Sequence, residues 1–156
     1  MTYTHTPVAF WPRSRAELKS AVDICLKQFP KSDCSNGPHG PIGQWDVSRV
    51  ADMSRVFSFA REFRGDISKW DVSNARDMSG MFRGAKTFDR DLSKWDVSRV
   101  TTMGSMFRGA RSFNGDVSTW DVSRVINMDN MFQDAILFTR QLCGAAWVNS
   151  QVCAFN

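Results

Sequence analysis

The sequence predicts an α/β solenoid of short parallel strands and short helices, with a helical cap at its front. Three observations carry that expectation. Trp45, Trp70, Trp95 and Trp120 recur every 25 residues with no insertion between copies. Each copy holds an apolar pattern of helical period, then one that alternates. A single copy is too short to bury its own apolar side, so neighbours must stack to build a continuous core.

The copies read WDVSRVADMSRVFSFAREFRGDISK, WDVSNARDMSGMFRGAKTFDRDLSK, WDVSRVTTMGSMFRGARSFNGDVST and WDVSRVINMDNMFQDAILFTRQLCG. They divide the chain into an N-terminal cap at 1–41, a repeat body at 42–144 and a C-terminal cap at 145–156. Ile42-Gly43-Gln44 stands where Ile67-Ser68-Lys69 stands one copy later. Trp147-Val148-Asn149-Ser150 is a degenerate fifth opening, displaced by two residues.

In the second copy Met78, Met81, Phe82 and Ala85 have the spacing i, i+3, i+4, i+7, one face of a short helix. Asp52, Asp77, Thr102 and Asn127 precede that face in the four copies and are good N-caps. Gly84 and Gly109 suit a helix C-terminus. The stretch from Phe88 through Leu92 to Trp95-Asp96-Val97-Ser98 is short and partly β-branched, which predicts a brief strand with Trp95 and Val97 facing in. Stacking then sets equivalent residues in ladders: Trp45, Trp70, Trp95 and Trp120; Phe63, Phe88, Phe113 and Phe138; Met53, Met78, Met103 and Met128. These ladders read as core.

The front cap contains Ser14-Arg15-Ala16-Glu17, a capping box. Leu18, Val22, Cys25, Leu26 and Phe29 then share one face, which predicts an amphipathic helix over 14–29 that Pro30 ends. Ser35-Asn36-Gly37-Pro38-His39-Gly40-Pro41 is a turn-rich loop. Trp147, Val152 and Phe155 are placed to seal the last copy. Cys25, Cys34, Cys143 and Cys153 form two close pairs, one near each end. Two readings stand: a disulfide in each cap, or four buried free thiols. Their spacing is poor for zinc, and neither His5 nor His39 completes a ligand set.

The recurring pattern WDVSxVxxMxxMFxxAxxFxxDIS at 45–144 resembles the BspA-type leucine-rich-repeat surface proteins in their 25-residue form, abundant in mycoplasmas. The Ala16-Glu17-Leu18-Lys19 helix, the run Pro41-Ile42-Gly43-Gln44-Trp45 and the tail Leu142-Cys143-Gly144-Ala145-Ala146-Trp147 are similar to that family's ends. The resemblance implies a right-handed, leucine-rich-repeat-like α/β solenoid with a role in adhesion or protein interaction at cell surfaces. It supplies no catalytic residue, metal or cofactor. The start Met1-Thr2-Tyr3-Thr4-His5-Thr6 lacks the basic and apolar segments of a signal peptide, so a surface location rests on the resemblance alone.

Two carboxylate rows invite a chemical reading: Asp46, Asp71, Asp96 and Asp121, and Asp66, Asp91 and Asp116, the latter ending at Gln141. Stacked carboxylates repel and raise each other's pKa, so they could hold calcium or act as a catalytic pair. Alternatively, each accepts backbone N–H bonds within its own turn. Ser48, Ser73, Ser98 and Ser123 repeat with no histidine beside them, which leaves a nucleophile without a base. The expectation is therefore a protein that is not an enzyme.

The variable positions are where a partner would be specified. Arg61, Lys86 and Arg111 share one position, and Arg83 and Arg108 share another three residues earlier, a helical turn away. Arg49, Arg99 and Arg124 form a further row. These cations serve either as a solvated face or as a site for an acidic protein or anionic glycan. In the fourth copy the stripe becomes Gln133 and Ile136, beside Leu137. Net charge is only +4 and the aromatics read as core, so nucleic acid fits poorly. No apolar run approaches the roughly 18 residues of a membrane span. The leading expectation is a non-catalytic scaffold for protein or glycan interaction; the alternative is a structural subunit that self-assembles into a fibre or larger assembly.

Overall fold

A computed structural model describes residues 9–144, 146–150 and 152. The repeats form four coils, 45–69, 70–94, 95–119 and 120–144, stacked so that each residue lies beside its counterpart one period on. Their backbone is not the predicted one. Among the described residues there is one α-helix, α1 (Arg15–Gln28), and one 3-10 turn, Ile42–Gln44, and there is no sheet. Parallel pairing is reduced to isolated bridges joining Asp52 to Asp77, Asp77 to Thr102, and Thr102 to Asn127. The expectation of a leucine-rich-repeat-like solenoid of parallel strands and short helices is thereby corrected.

The physical reason lies at two backbone positions. Counting each opening tryptophan as position 1, position 11 is Arg55, Gly80, Ser105 and Asn130, with φ of 58°, 61°, 56° and 57°. Position 15 is Phe59, Gly84, Gly109 and Asp134, with φ of 60°, 66°, 68° and 59°. A right-handed helix cannot pass through a left-handed residue every fourth step. The chain instead makes overlapping turns: Met81 N–H donates to Met78 O, Arg83 N–H to Gly80 O, and Ala85 N–H to Phe82 O, at 3.2, 3.0 and 3.0 Å.

The intervening N–H groups leave the coil. Met53, Arg55, Phe57 and Phe59 donate to Asp77, Ser79, Met81 and Arg83 at 2.6–3.0 Å. Met78, Gly80, Phe82 and Gly84 donate in the same way to Thr102, Gly104, Met106 and Arg108. Met103, Ser105, Phe107 and Gly109 donate to Asn127, Asp129, Met131 and Gln133. Overlapping turns also bring residues three and four apart to one side, so Met78, Met81, Phe82 and Ala85 are all buried without a helix. The residues expected as N-caps are instead the bridge residues. The predicted strand around Trp95 is likewise turn: Trp95 N–H donates to Leu92 O and Val100 N–H to Val97 O. Trp95 and Val97 are nevertheless buried.

Three aromatic files run through the stack. Phe57, Phe82, Phe107 and Phe132 are nearly parallel, with centroids 5.4–5.5 Å apart. Phe63, Phe88, Phe113 and Phe138 repeat at 5.9–6.2 Å. Within each coil the two files meet at 4.0–4.5 Å. The tryptophans add a polar anchor. The indole N–H groups of Trp70, Trp95 and Trp120 donate to the carbonyls of Ile42, Ile67 and Leu92, each twenty-eight residues back, at 2.8–3.1 Å. Trp147 does the same to Val117 O at 3.0 Å, thirty residues back where the others reach twenty-eight. The displaced tryptophan thus occupies the corresponding place of a fifth coil.

α1 closes the first coil. Ser14 Oγ accepts the Glu17 N–H at 3.2 Å, and Leu18, Ala21, Val22 and Cys25 are buried against the stack. Arg15 Nε donates to Ser54 O at 2.6 Å, occupying a carbonyl on the face where a preceding coil would donate. Cys25 and Cys34 form a disulfide, Cα atoms 5.6 Å apart, tying the helix end to the following loop. Of the other expected pair, Cys153 lies outside the described residues, as do His5 and Phe155.

Substituting Trp95→Phe keeps most of the buried area but leaves the Ile67 carbonyl without its indole donor. That carbonyl keeps the Trp70 N–H, so the expected cost is that of one hydrogen bond, about 0.5–1.5 kcal/mol in urea unfolding. An unchanged midpoint would mean that the indole bonds do not help hold the coils together.

Candidate functional site

Each carboxylate row serves its own turn. Asp46, Asp71, Asp96 and Asp121 accept the N–H of Ser48, Ser73, Ser98 and Ser123 at 3.0–3.1 Å. Asp66, Asp91 and Asp116 accept those of Ser68, Ser93 and Ser118 at 2.9–3.0 Å. The hydroxyls of Ser48, Ser73, Ser98 and Ser118 also donate, at 2.6–2.7 Å. The serine row therefore acts as donor to these carboxylates.

Those bonds set the titration. The serine hydroxyl, and after it the serine N–H, holds Asp46, Asp66, Asp91, Asp96, Asp116 and Asp121 below the usual carboxylate range. Repulsion from the next carboxylate acts in the opposite direction at Asp91, from Asp116, and at Asp96, from Asp121. It is the smaller effect at both. Among the described residues no three His, Cys, Asp or Glu side chains converge as a metal-binding group.

The cations lie in two rows in a different part of the coil. Arg61, Lys86 and Arg111 are exposed, while Arg83 and Arg108 are half-buried. Their register is fixed by the stack: Arg83 O and Arg108 O accept from Phe59 N–H and Gly84 N–H, and Lys86 O and Arg111 O accept from Ser112 N–H and Leu137 N–H. The two rows stand on successive turns and not one helical turn apart. Among the described residues none of these five cations is in an ion pair; the pairs present are Arg15 with Asp52, Lys19 with Asp23, and Lys31 with Glu62.

An aromatic side chain joins this surface. Phe59 is 59% exposed, and the Arg83 guanidinium lies 5.7 Å from its ring centre. Phe59 stands where the next two copies have Gly84 and Gly109, and a Cβ on Gly84 would come within 2.7 Å of the Phe59 ring. The glycine gives Phe59 room to lie over the second coil. A cavity of about 380 Å³ separates α1 from this edge, lined in part by Leu26, Lys27, Phe59 and Arg61. Phe59 breaks the repeat pattern at its position, which is the sequence signal that marks it.

The remaining arginine row divides. Arg49 lies 5.3 Å from the Trp11 ring centre, with Arg13 at 4.5 Å. Arg99 donates to Asn74 Oδ1 at 3.0 Å. In the fourth coil Ile136 and Leu137 are 66% and 56% exposed and interrupt the cationic surface.

No described helix is long and apolar enough to cross a membrane. The sequence profile of a family described as "Mycoplasma protein of unknown function, DUF285" matches residues 27–147, most of the chain. That family agrees loosely with the BspA-type repeats the sequence resembles. No curated protein and no solved structure matches the chain.

The lowered carboxylates make acid stability a test of the turn reading. A group whose folded pKa is lowered stabilises the fold above its unfolded pKa, and that contribution is lost as pH falls through the folded value. Urea midpoints should therefore hold from about pH 6 down to about pH 4 and fall below it. Replacing Asp46 and Asp96 with Asn, which keeps an acceptor but cannot ionise, should flatten that fall. A midpoint unchanged down to about pH 2 would contradict the assignment.

Proposed function

The chain belongs to the DUF285 family, and from its own surface we propose that it is a non-catalytic repeat scaffold which binds an acidic partner along its cationic rows. The observation that carries this reading is the absence of any ion pair, among the described residues, at Arg61, Arg83, Lys86, Arg108 and Arg111. The carboxylates of the two aspartate rows are held by serines in a different part of the coil. An unneutralised row of like charge on a rigid frame costs self-repulsion that an acidic ligand relieves. The exposed Phe59 adds an apolar contact at the front of the rows. The acidic class includes anionic glycans and acidic protein segments, and presentation at a cell surface is part of the proposal.

The experiment uses the exposed cations, which lie outside the buried core. Wild type and the variant Arg61→Glu, Lys86→Glu, Arg111→Glu are passed over an immobilised sulfated glycan and over immobilised poly-glutamate. Wild type should be retained on at least one of them and elute with added salt. The variant should bind about tenfold more weakly at physiological ionic strength, with circular dichroism unchanged. Equal retention of the two proteins would remove the rows as the site. Retention on one matrix alone separates the glycan from the acidic-protein class.

A further inference from the structure

Phe59 combines two features that the core phenylalanines lack. Its backbone is left-handed, with φ of 60°, where the next three coils have Gly84, Gly109 and Asp134. Glycine takes that conformation freely and aspartate tolerates it, whereas a bulky side chain is strained there. The strain is not offset by burial, since the ring is 59% exposed, the most exposed aromatic side chain among the described residues. Strained backbone that holds a side chain out in solvent points to a use for that side chain.

Two kinds of surface meet at this ring. Toward the second coil stand the cations, first Arg83, whose guanidinium lies 5.7 Å from the ring centre, and then Lys86 in the neighbouring row. Toward α1 lies the cavity of about 380 Å³, whose wall carries Asp23 and Glu62 as well as Lys27 and Arg61. Asp23 is paired with Lys19 and Glu62 with Lys31. This side of the ring therefore offers hydrogen-bond acceptors and donors together, and the other side offers positive charge.

We propose that the acidic partner of the cationic rows is a glycan, a sulfated or uronic-acid polysaccharide, and that Phe59 is the platform on which one of its sugar rings stacks. The inference rests on the reading of the rows as the binding surface and narrows it to one class of ligand. A pyranose presents C–H groups on its face, and their positive edge suits the negative face of an aromatic ring. Its hydroxyls both donate and accept, which the wall beside Phe59 satisfies through carboxylates and cations. Its sulfates or carboxylates meet Arg83 and Lys86. An acidic protein segment fits less well. A run of carboxylates has no C–H face to stack on the ring, and it gains nothing from the acceptors at Asp23 and Glu62.

The probes are a sulfated, uronic-acid-containing octasaccharide and poly-glutamate, each titrated calorimetrically into the full chain at two salt concentrations. Two variants remove the platform: Phe59→Gly, which restores the residue of the next two coils, and Phe59→Leu, which keeps an apolar side chain without a π face. Both should bind the octasaccharide about fivefold more weakly than wild type. Their salt dependence should match that of wild type, because no charge is removed. Phe59→Tyr should bind the octasaccharide as wild type does. Equal octasaccharide affinity in wild type and Phe59→Leu would overturn the proposal, as would an equal loss on poly-glutamate. Wild-type binding to poly-glutamate alone would assign the surface to an acidic protein and overturn it too. Failure of the underlying reading has a different signature: wild type binds neither probe, or the variant Arg61→Glu, Lys86→Glu, Arg111→Glu binds the octasaccharide as wild type does. Either result removes the rows as the site, and the glycan assignment with them.

Discussion

Every second N–H in the turn segment of a coil is given to the next coil, and the form of the molecule follows from that alternation. Half of the local donors close i→i+3 turns and the other half bind across the stack. Buried backbone donors must be paired, and this division pairs them without helix or sheet. It requires left-handed backbone at two positions four residues apart, and all four coils meet it. Gly80, Gly84 and Gly109 do so freely. Asn130 and Asp134 belong to the residue types that tolerate it best, whereas Arg55 and Phe59 are held there by the bonds on either side.

With the backbone paired in this way, register between coils is set by side chains. A shift of one residue would remove the phenylalanines from their files and the indole N–H groups from their carbonyls. The offset-stacked pairs contribute about 0.5–1.5 kcal/mol each beyond their burial. Such pairs recur at every interface, so the stack is held by small equal terms and not by one dominant contact. The directionality of the bonds also makes the two ends unlike. In the turn segment the first coil turns its carbonyls toward α1, where Arg15 donates to Ser54 O.

Much of this is legible in the sequence, and the illegible part has a physical cause. The period, the inward tryptophans and the alternation of Trp95 and Val97 with Asp96 and Ser98 can be read because burial depends on spacing alone. The helix over Met78 to Ala85 cannot be separated from overlapping turns by that spacing, since both bring residues three and four apart to one side. The discriminating signal is the series Gly80, Ser105, Asn130 and the series Gly84, Gly109, Asp134, although Arg55 and Phe59 mask it in the first copy. At the candidate site, the cationic rows are visible as a periodic pattern. Their lack of ion pairs among the described residues is not, because it depends on where the stack sets these rows relative to the carboxylates.

The alternation is the central claim, and scalar coupling across hydrogen bonds reads it most directly. In a labelled sample, the Phe82 amide nitrogen should couple to the carbonyl carbon of Met106, and the Phe107 nitrogen to that of Met131. Coupling of Phe82 to Met78 and of Phe107 to Met103 would instead reveal helices in the repeats and contradict the account.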